Sequence, residues 1–164
     1  MFNAGELADS WTMQQEAFEL GELIGDPRLT RVALTNLGIV ATARGDHEAA
    51  RGLHLRALAM AAMGREPRAI AECLEELAVT ESGAGHHERA ARLLGAAGQI
   101  RDDVGSPIPK VDAHRIEAAA AAIEQAMGRE LFETATAAGR AMRSDQVMTY
   151  ARSANAPTPA APAP

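Results

Sequence analysis

Aromatic side chains are nearly missing from this chain: one Trp, one Tyr and three Phe among 164 residues, or 3%. A core without rings must be built from smaller aliphatic groups, and 37 Ala residues supply contacts that suit helix against helix. No window alternates apolar and polar residues with period two, so no strand is expected. Cys73 is the single cysteine, which excludes a disulfide framework and a paired-thiol motif. Lysine is as scarce, since Lys110 is the one Lys among 16 Lys and Arg residues. Those cations are outnumbered by 22 Asp and Glu, and the net charge of −6 disfavours attachment to nucleic-acid phosphates or anionic lipid. Apolar runs stop well short of a membrane span. The N-terminal stretch carries Glu6, Asp9, Glu16 and Glu19 with no early basic residue, unlike a signal peptide. GxxxxGK[ST] does not occur either, so the chain has no phosphate loop of that type. These absences predict a cytoplasmic chain with no membrane contact and no direct nucleic-acid contact.

What is present is a repeat. Leu34, Leu37, Gly45, His47, Glu48, Ala50, Leu53 and Ala57 recur 40 residues later as Leu74, Leu77, Gly85, His87, Glu88, Ala90, Leu93 and Ala97. The offset holds without a gap across two helix-length stretches. Periods of this order mark stacked supersecondary units, each burying its neighbour's apolar face. Ala50 and Ala57 lie two turns apart on one helix face, where small residues let antiparallel helices approach, and Gly38 is expected to do the same from the facing helix.

Spacing and breakers divide the chain into helices over about 7–24, 28–43, 47–63, 68–82 and 87–104. Gly25-Asp26-Pro27, Gly45-Asp46, Gly64 to Pro67 and Gly83 to Gly85 supply the turns. After Gly105-Ser106-Pro107-Ile108-Pro109 the 40-residue match fails. Further helices are expected over 111–127, 129–142 and 144–151. The organisation predicted is helical repeats over 1–104, a helical cap over 105–152, and a disordered Pro/Ala tail over 153–164.

Within each unit, Leu37-Gly38, the Gly45-Asp46 turn, Ala50 and Ala57 resemble the tetratricopeptide repeat. The strings GDPRLTRVALTNLGIVATARGDHEAARGLHLRALAMA and HERAARLLGAAGQIRDDVGSPIP, with the later GRELFETATAAGRAMRSDQVMTYA, resemble the C-terminal arrays of large bacterial signal-transduction ATPase regulators, of LuxR or NB-ARC type. The resemblance implies an all-α solenoid of stacked antiparallel pairs forming a right-handed superhelix. It also implies a protein–protein interaction or regulatory segment without catalysis or cofactor. The alternative is a free-standing adaptor that takes a basic or amphipathic peptide in its concave groove. Ala78 and Glu81 depart from the motif, standing where a Gly and a bulky residue are usual.

Candidate sites are few. His47, His86 and His87 cluster at turns, but two of them occupy equivalent repeat positions and are read as packing groups, so no metal is expected. Ser10 beside Asp9 falls where Ala50 and Ala90 stand, and Cys73 has no His within a helical turn to activate it. Neither is read as a nucleophile, and the chain is not expected to be an enzyme. The better candidate is polar: Glu72, Glu75 and Glu76, with Asn36 one unit earlier, line the groove side of their helices and would attract a basic partner. A second candidate is apolar: Met13, Ala17 and Leu20 on an unpaired first helix are expected to form an exposed strip and a homodimer interface.

Overall fold

A computed structural model describes residues 4–153. Most of the predicted tail, 154–164, lies outside the described residues. The described chain is all helical: α1 (Ala4–Ile24), α2 (Pro27–Ala43), α3 (His47–Met63), α4 (Pro67–Gly83), α5 (His87–Asp103), α6 (Lys110–Met127), α7 (Arg129–Arg140) and α8 (Ser144–Arg152). Helix α4 runs through Gly83, one residue beyond its predicted end, and the turn follows it.

The unit of construction is half the period seen in the sequence. Each of α2 to α5 is 17 residues long, and the starts at 27, 47, 67 and 87 fall twenty residues apart. The turns repeat in step. Left-handed backbone occurs at Gly25, Gly45, Arg65, Gly85 and Gly105. In each turn the next amide donates back to a carbonyl five residues earlier, as Asp26 N to Gly21 O, Asp46 N to Ala41 O, Glu66 N to Ala61 O, His86 N to Glu81 O and Ser106 N to Arg101 O, all within 2.8–3.0 Å. This is the 6→1 bond of a Schellman cap, and the first four of these donors also stand at the N-cap of the following helix. Asp26 caps α2 by accepting from Arg28 N and Leu29 N at 2.9 and 3.1 Å, and Asp46 caps α3 by accepting from Ala49 N. Pro27 and Pro67 occupy first-turn positions, where a missing N–H costs nothing.

Leu34, Leu58, Leu74, Leu77 and Leu93 fill the core, with Ala50, Ala57, Ala90 and Ala97 fully buried between them. The small residues are where the helices come together. Gly38 has a different reason from the one the spacing suggests. A Cβ there would come within 2.4 Å of the His54 ring, so the glycine accommodates an imidazole rather than a neighbouring backbone. One unit on, the equivalent pair is Ala78 and Leu94, larger on one side and more flexible on the other.

Beyond Pro109 the stacking rule changes. Helix α7, not α6, lies along α5. The crossing is so close that a Cβ at Gly95 would meet Thr136 O at 2.1 Å, and one at Gly139 would meet Arg92 O at 2.0 Å. Two glycines, one per helix, therefore bring two backbones into contact. Helix α6 is displaced and packs across α4, α5 and α7.

Candidate interaction surface

The polar face expected to form a groove draws its residues from α2 and α4. Asn36 is half buried, and its Nδ2 donates to Gln14 Oε1 at 3.0 Å, tying α2 to α1. Glu75 is buried and accepts from Arg101 Nε and Nη2 at 2.5 and 2.7 Å. Glu76 is buried and bridges both terminal nitrogens of Arg115 on α6. Glu72 is half exposed, with Arg31 Nη1 at 3.7 Å, and burial pushes its carboxyl up while Arg31 opposes the shift.

An open strip of three carboxylates is therefore corrected to one accessible carboxylate and two closed ion pairs. The physical reason is long range. Arg101 belongs to the last turn of α5 and Arg115 to the displaced α6, and both reach α4 once α6 has folded over it. Buried carboxylates that have lost water must be paired, and bidentate guanidinium is the geometry that best replaces the lost hydration.

A second polar centre has no counterpart in the candidate residues. Glu81, almost wholly buried, accepts from Arg51 on α3 at 2.5 Å and from Arg89 Nε on α5 at 3.0 Å, and lies 2.8 Å from His86 Nδ1. Arg89 continues the chain of contacts: Nη2 donates to Ala151 O at 2.7 Å and Nη1 to Tyr150 O at 3.1 Å, at the carboxyl end of α8. A cation there meets the negative end of the helix dipole. One carboxylate thus links α3, α4 and α5 and, through Arg89, holds the last helix. The signal in the sequence was the misfit itself, an acid where the motif the chain resembles has a bulky residue.

The apolar candidate lies on α1. Met13 and Leu20 are 64% and 49% exposed, and Ala17 is half buried; Leu23 and Ile24, at 83% and 60%, extend the strip to the helix end. Helix α2 packs along α1, and Arg44, just past the end of α2, and Arg56 of α3 lie over the Trp11 and Phe18 rings at 5.0 and 5.3 Å.

The groups with chemical potential point inward. Cys73 is fully buried, and desolvation pushes its thiol up to about 12. His54 is fully buried, with its pKa lowered to about 4 by desolvation and secondarily by Arg115. Among the described residues no three His, Cys, Asp or Glu side chains are grouped to hold a metal ion. No helix there is long and apolar enough to cross a membrane.

No family model matches the chain, and no solved structure does. Three curated proteins are 36% identical to it over 121 residues, or 74% of this chain. They come from Mycobacterium bovis and two strains of Mycobacterium tuberculosis, and each is named "Putative HTH-type transcriptional regulator". The matched stretch is 14% of their length, so the chain is similar to one segment of much longer proteins.

Proposed function

We propose that the chain is a non-catalytic protein–protein interaction segment of the kind carried at the C-terminal end of a tetratricopeptide-containing transcriptional regulator or signal-transduction ATPase. It takes no cofactor, works in the cytoplasm, and contacts no nucleic acid itself. Its partner is another polypeptide, a neighbouring domain of a parent chain, or a second copy. The observation that carries this reading is the pattern of satisfaction. Acidic side chains of the inner face are closed by the chain's own arginines, whereas the Met13–Ala17–Leu20 strip of α1, continued by Leu23 and Ile24, is open. The relationship to proteins named as regulators supports the regulatory part.

Magnitudes decide which partner suits the strip. Covering its four large side chains is worth on the order of 5 kcal/mol, given about 1.5–3 kcal/mol per fully buried side chain. Free association costs a comparable amount in lost translation and rotation. A second copy is therefore held weakly, while a tethered neighbouring domain gains from effective concentration. Sedimentation velocity tests this. The wild-type chain self-associates at concentrations on the order of 100 µM or above, and Leu20→Glu with Leu23→Glu abolishes it. A monomer at every concentration, with the strip reactive to apolar dyes, rules out a second copy as its partner.

The adaptor reading, with a basic peptide in the groove, rests on Glu72 alone of the three carboxylates. Contacts there are screened within about 8 Å at physiological salt. Peptide recovery by Glu72→Gln equal to wild type at low salt rejects it.

A further inference from the structure

The turn between α3 and α4 breaks a pattern the other four keep. Its left-handed residue is Arg65, at φ 53°, where the other four positions have Gly. A side chain there costs roughly 1–2 kcal/mol that Gly avoids. The N-terminus of α4, like that of α5, carries no side-chain cap. Glu66 makes no side-chain cap, and Pro67 has no N–H, so the first free amides of α4 lack the carboxylate that Asp26 and Asp46 give α2 and α3. Beside this helix end lies a cleft of about 540 Å³ lined by Arg28, Arg31, Arg65 and Arg68, with Glu66 and Glu72. Four cations against two carboxylates leave an excess of two positive charges in a chain whose net charge is −6.

Arg31 is the independent observation. It is more than nine-tenths buried, yet its Nε and Nη1 make no hydrogen bond. The nearest carboxylates, Glu66 Oε2 and Glu72 Oε2, stand 3.8 and 3.7 Å away, beyond hydrogen-bond length. Arg89 and Arg101, similarly buried, donate several short hydrogen bonds each. A buried guanidinium normally has its donors filled, and an unfilled one carries a desolvation cost that an acceptor would relieve. Arg28, Arg65 and Arg68 have no ion-pair partner among the described residues and are exposed around it.

We propose that this cleft binds a small soluble phosphomonoester, with Arg31 as the buried anchor, Arg65 and Arg68 as the arms that close on the phosphate, and the uncapped start of α4 supplying amide donors. A dianion matches the two excess charges, and arginine forks with a helix N-terminus are the combination that favours phosphate oxygens. The volume exceeds that of inorganic phosphate and falls within the range of small-ligand pockets. The concave shape and the acidic remainder of the surface disfavour a polyanion such as nucleic acid.

The test is calorimetric titration of the full chain with inorganic phosphate and with glycerol phosphate, at ionic strength matched by sodium chloride. Saturable binding is expected, tighter for the ester. Arg68→Gln should weaken it about tenfold, the loss of one charge-assisted bond at about 1.4 kcal/mol. Arg65→Gly gives a readout that a purely structural role would not: weaker phosphate binding together with a higher melting temperature without phosphate, because the turn strain is relieved. Heat no larger than chloride gives, or identical affinity in wild type and both variants, overturns the site. Co-sedimentation with phosphatidic acid vesicles in the absence of any soluble-ester binding overturns the soluble ligand.

Discussion

Lowering the pH from 7 to 4.5 should destabilise this protein through one residue, His54. Its ring is sealed beneath Gly38, neither nitrogen has a hydrogen-bond partner among the described residues, and burial lowers its pKa from 6.5 to about 4. The folded state therefore holds the neutral imidazole at pH values where the unfolded chain is already protonated. Because the folded pKa is depressed, the stabilising contribution is fully present above about pH 6.5 and is lost as pH falls through the window down to about 4. A gap of that width corresponds to roughly 3 kcal/mol at about 1.4 kcal/mol per unit, a sizeable share of a domain's typical stability of about 5–15 kcal/mol. Glu72 and Glu76, whose carboxyls burial pushes up, contribute with opposite sign, so the wild-type curve alone is not diagnostic. The diagnostic quantity is the difference between wild type and His54→Leu, which puts at 54 the residue that Leu94 already is one unit later. Urea unfolding followed by circular dichroism at several pH values measures it. The two stability curves should diverge as pH falls, wild type losing about 2–3 kcal/mol more than the variant by pH 4.5. Parallel curves would show that the imidazole is not neutral and buried as described.

Three further outcomes follow from packing and pairing. Gly38→Ala should cost about 1–3 kcal/mol by thermal or urea unfolding, and adding His54→Leu should restore most of it, since the double variant recreates the Ala78–Leu94 pair. Gly95→Ala and Gly139→Ala should each lower the melting temperature, because their new Cβ atoms would lie within about 2 Å of a carbonyl oxygen; Gly52→Ala, with nothing within 4 Å, should raise it. Glu81→Ala should cost about 3–5 kcal/mol by leaving Arg89 buried without its carboxylate, and proteolysis should then cut first near α8, whose end Arg89 holds.

Helix existence, type and approximate ends were legible because every turn carries its own chemistry. Asp26 and Asp46 cap, Pro27 and Pro67 start helices, and glycine takes the left-handed position at 25, 45, 85 and 105, with Arg65 the exception. The small residues at 50, 57, 90 and 97 announced where helices cross. The reason for Gly38 was not legible, because the group it makes room for lies sixteen residues away on the next helix and is not a typical small-residue partner. The apolar strip on α1 could be read because it needs only local periodicity. The state of Glu75 and Glu76 could not, since it depends on which later arginine reaches them.

That limit has a general form in this chain. A period reports how far apart equivalent residues are, and says nothing about which helix occupies the next place in the stack. Extending the 40-residue rule puts α6 where α4 would repeat, yet α7 takes that place on α5 because Gly95 and Gly139 permit a backbone contact that α6 has no glycine to match. Once α6 is displaced, Arg115 is carried over α4, and an acidic face becomes an internal ion pair. The same logic applies in reverse to Arg65. A strict series of left-handed glycines at 25, 45, 85 and 105 makes the one non-glycine member conspicuous, and it sits beside the one buried guanidinium, among the described residues, whose nearest carboxylates stay out of hydrogen-bond range. In a repeat whose rules are this regular, strain kept at a single position is the kind of outlier that marks a functional site, and it lies beside the cleft around Arg31 for which a phosphate ligand is proposed.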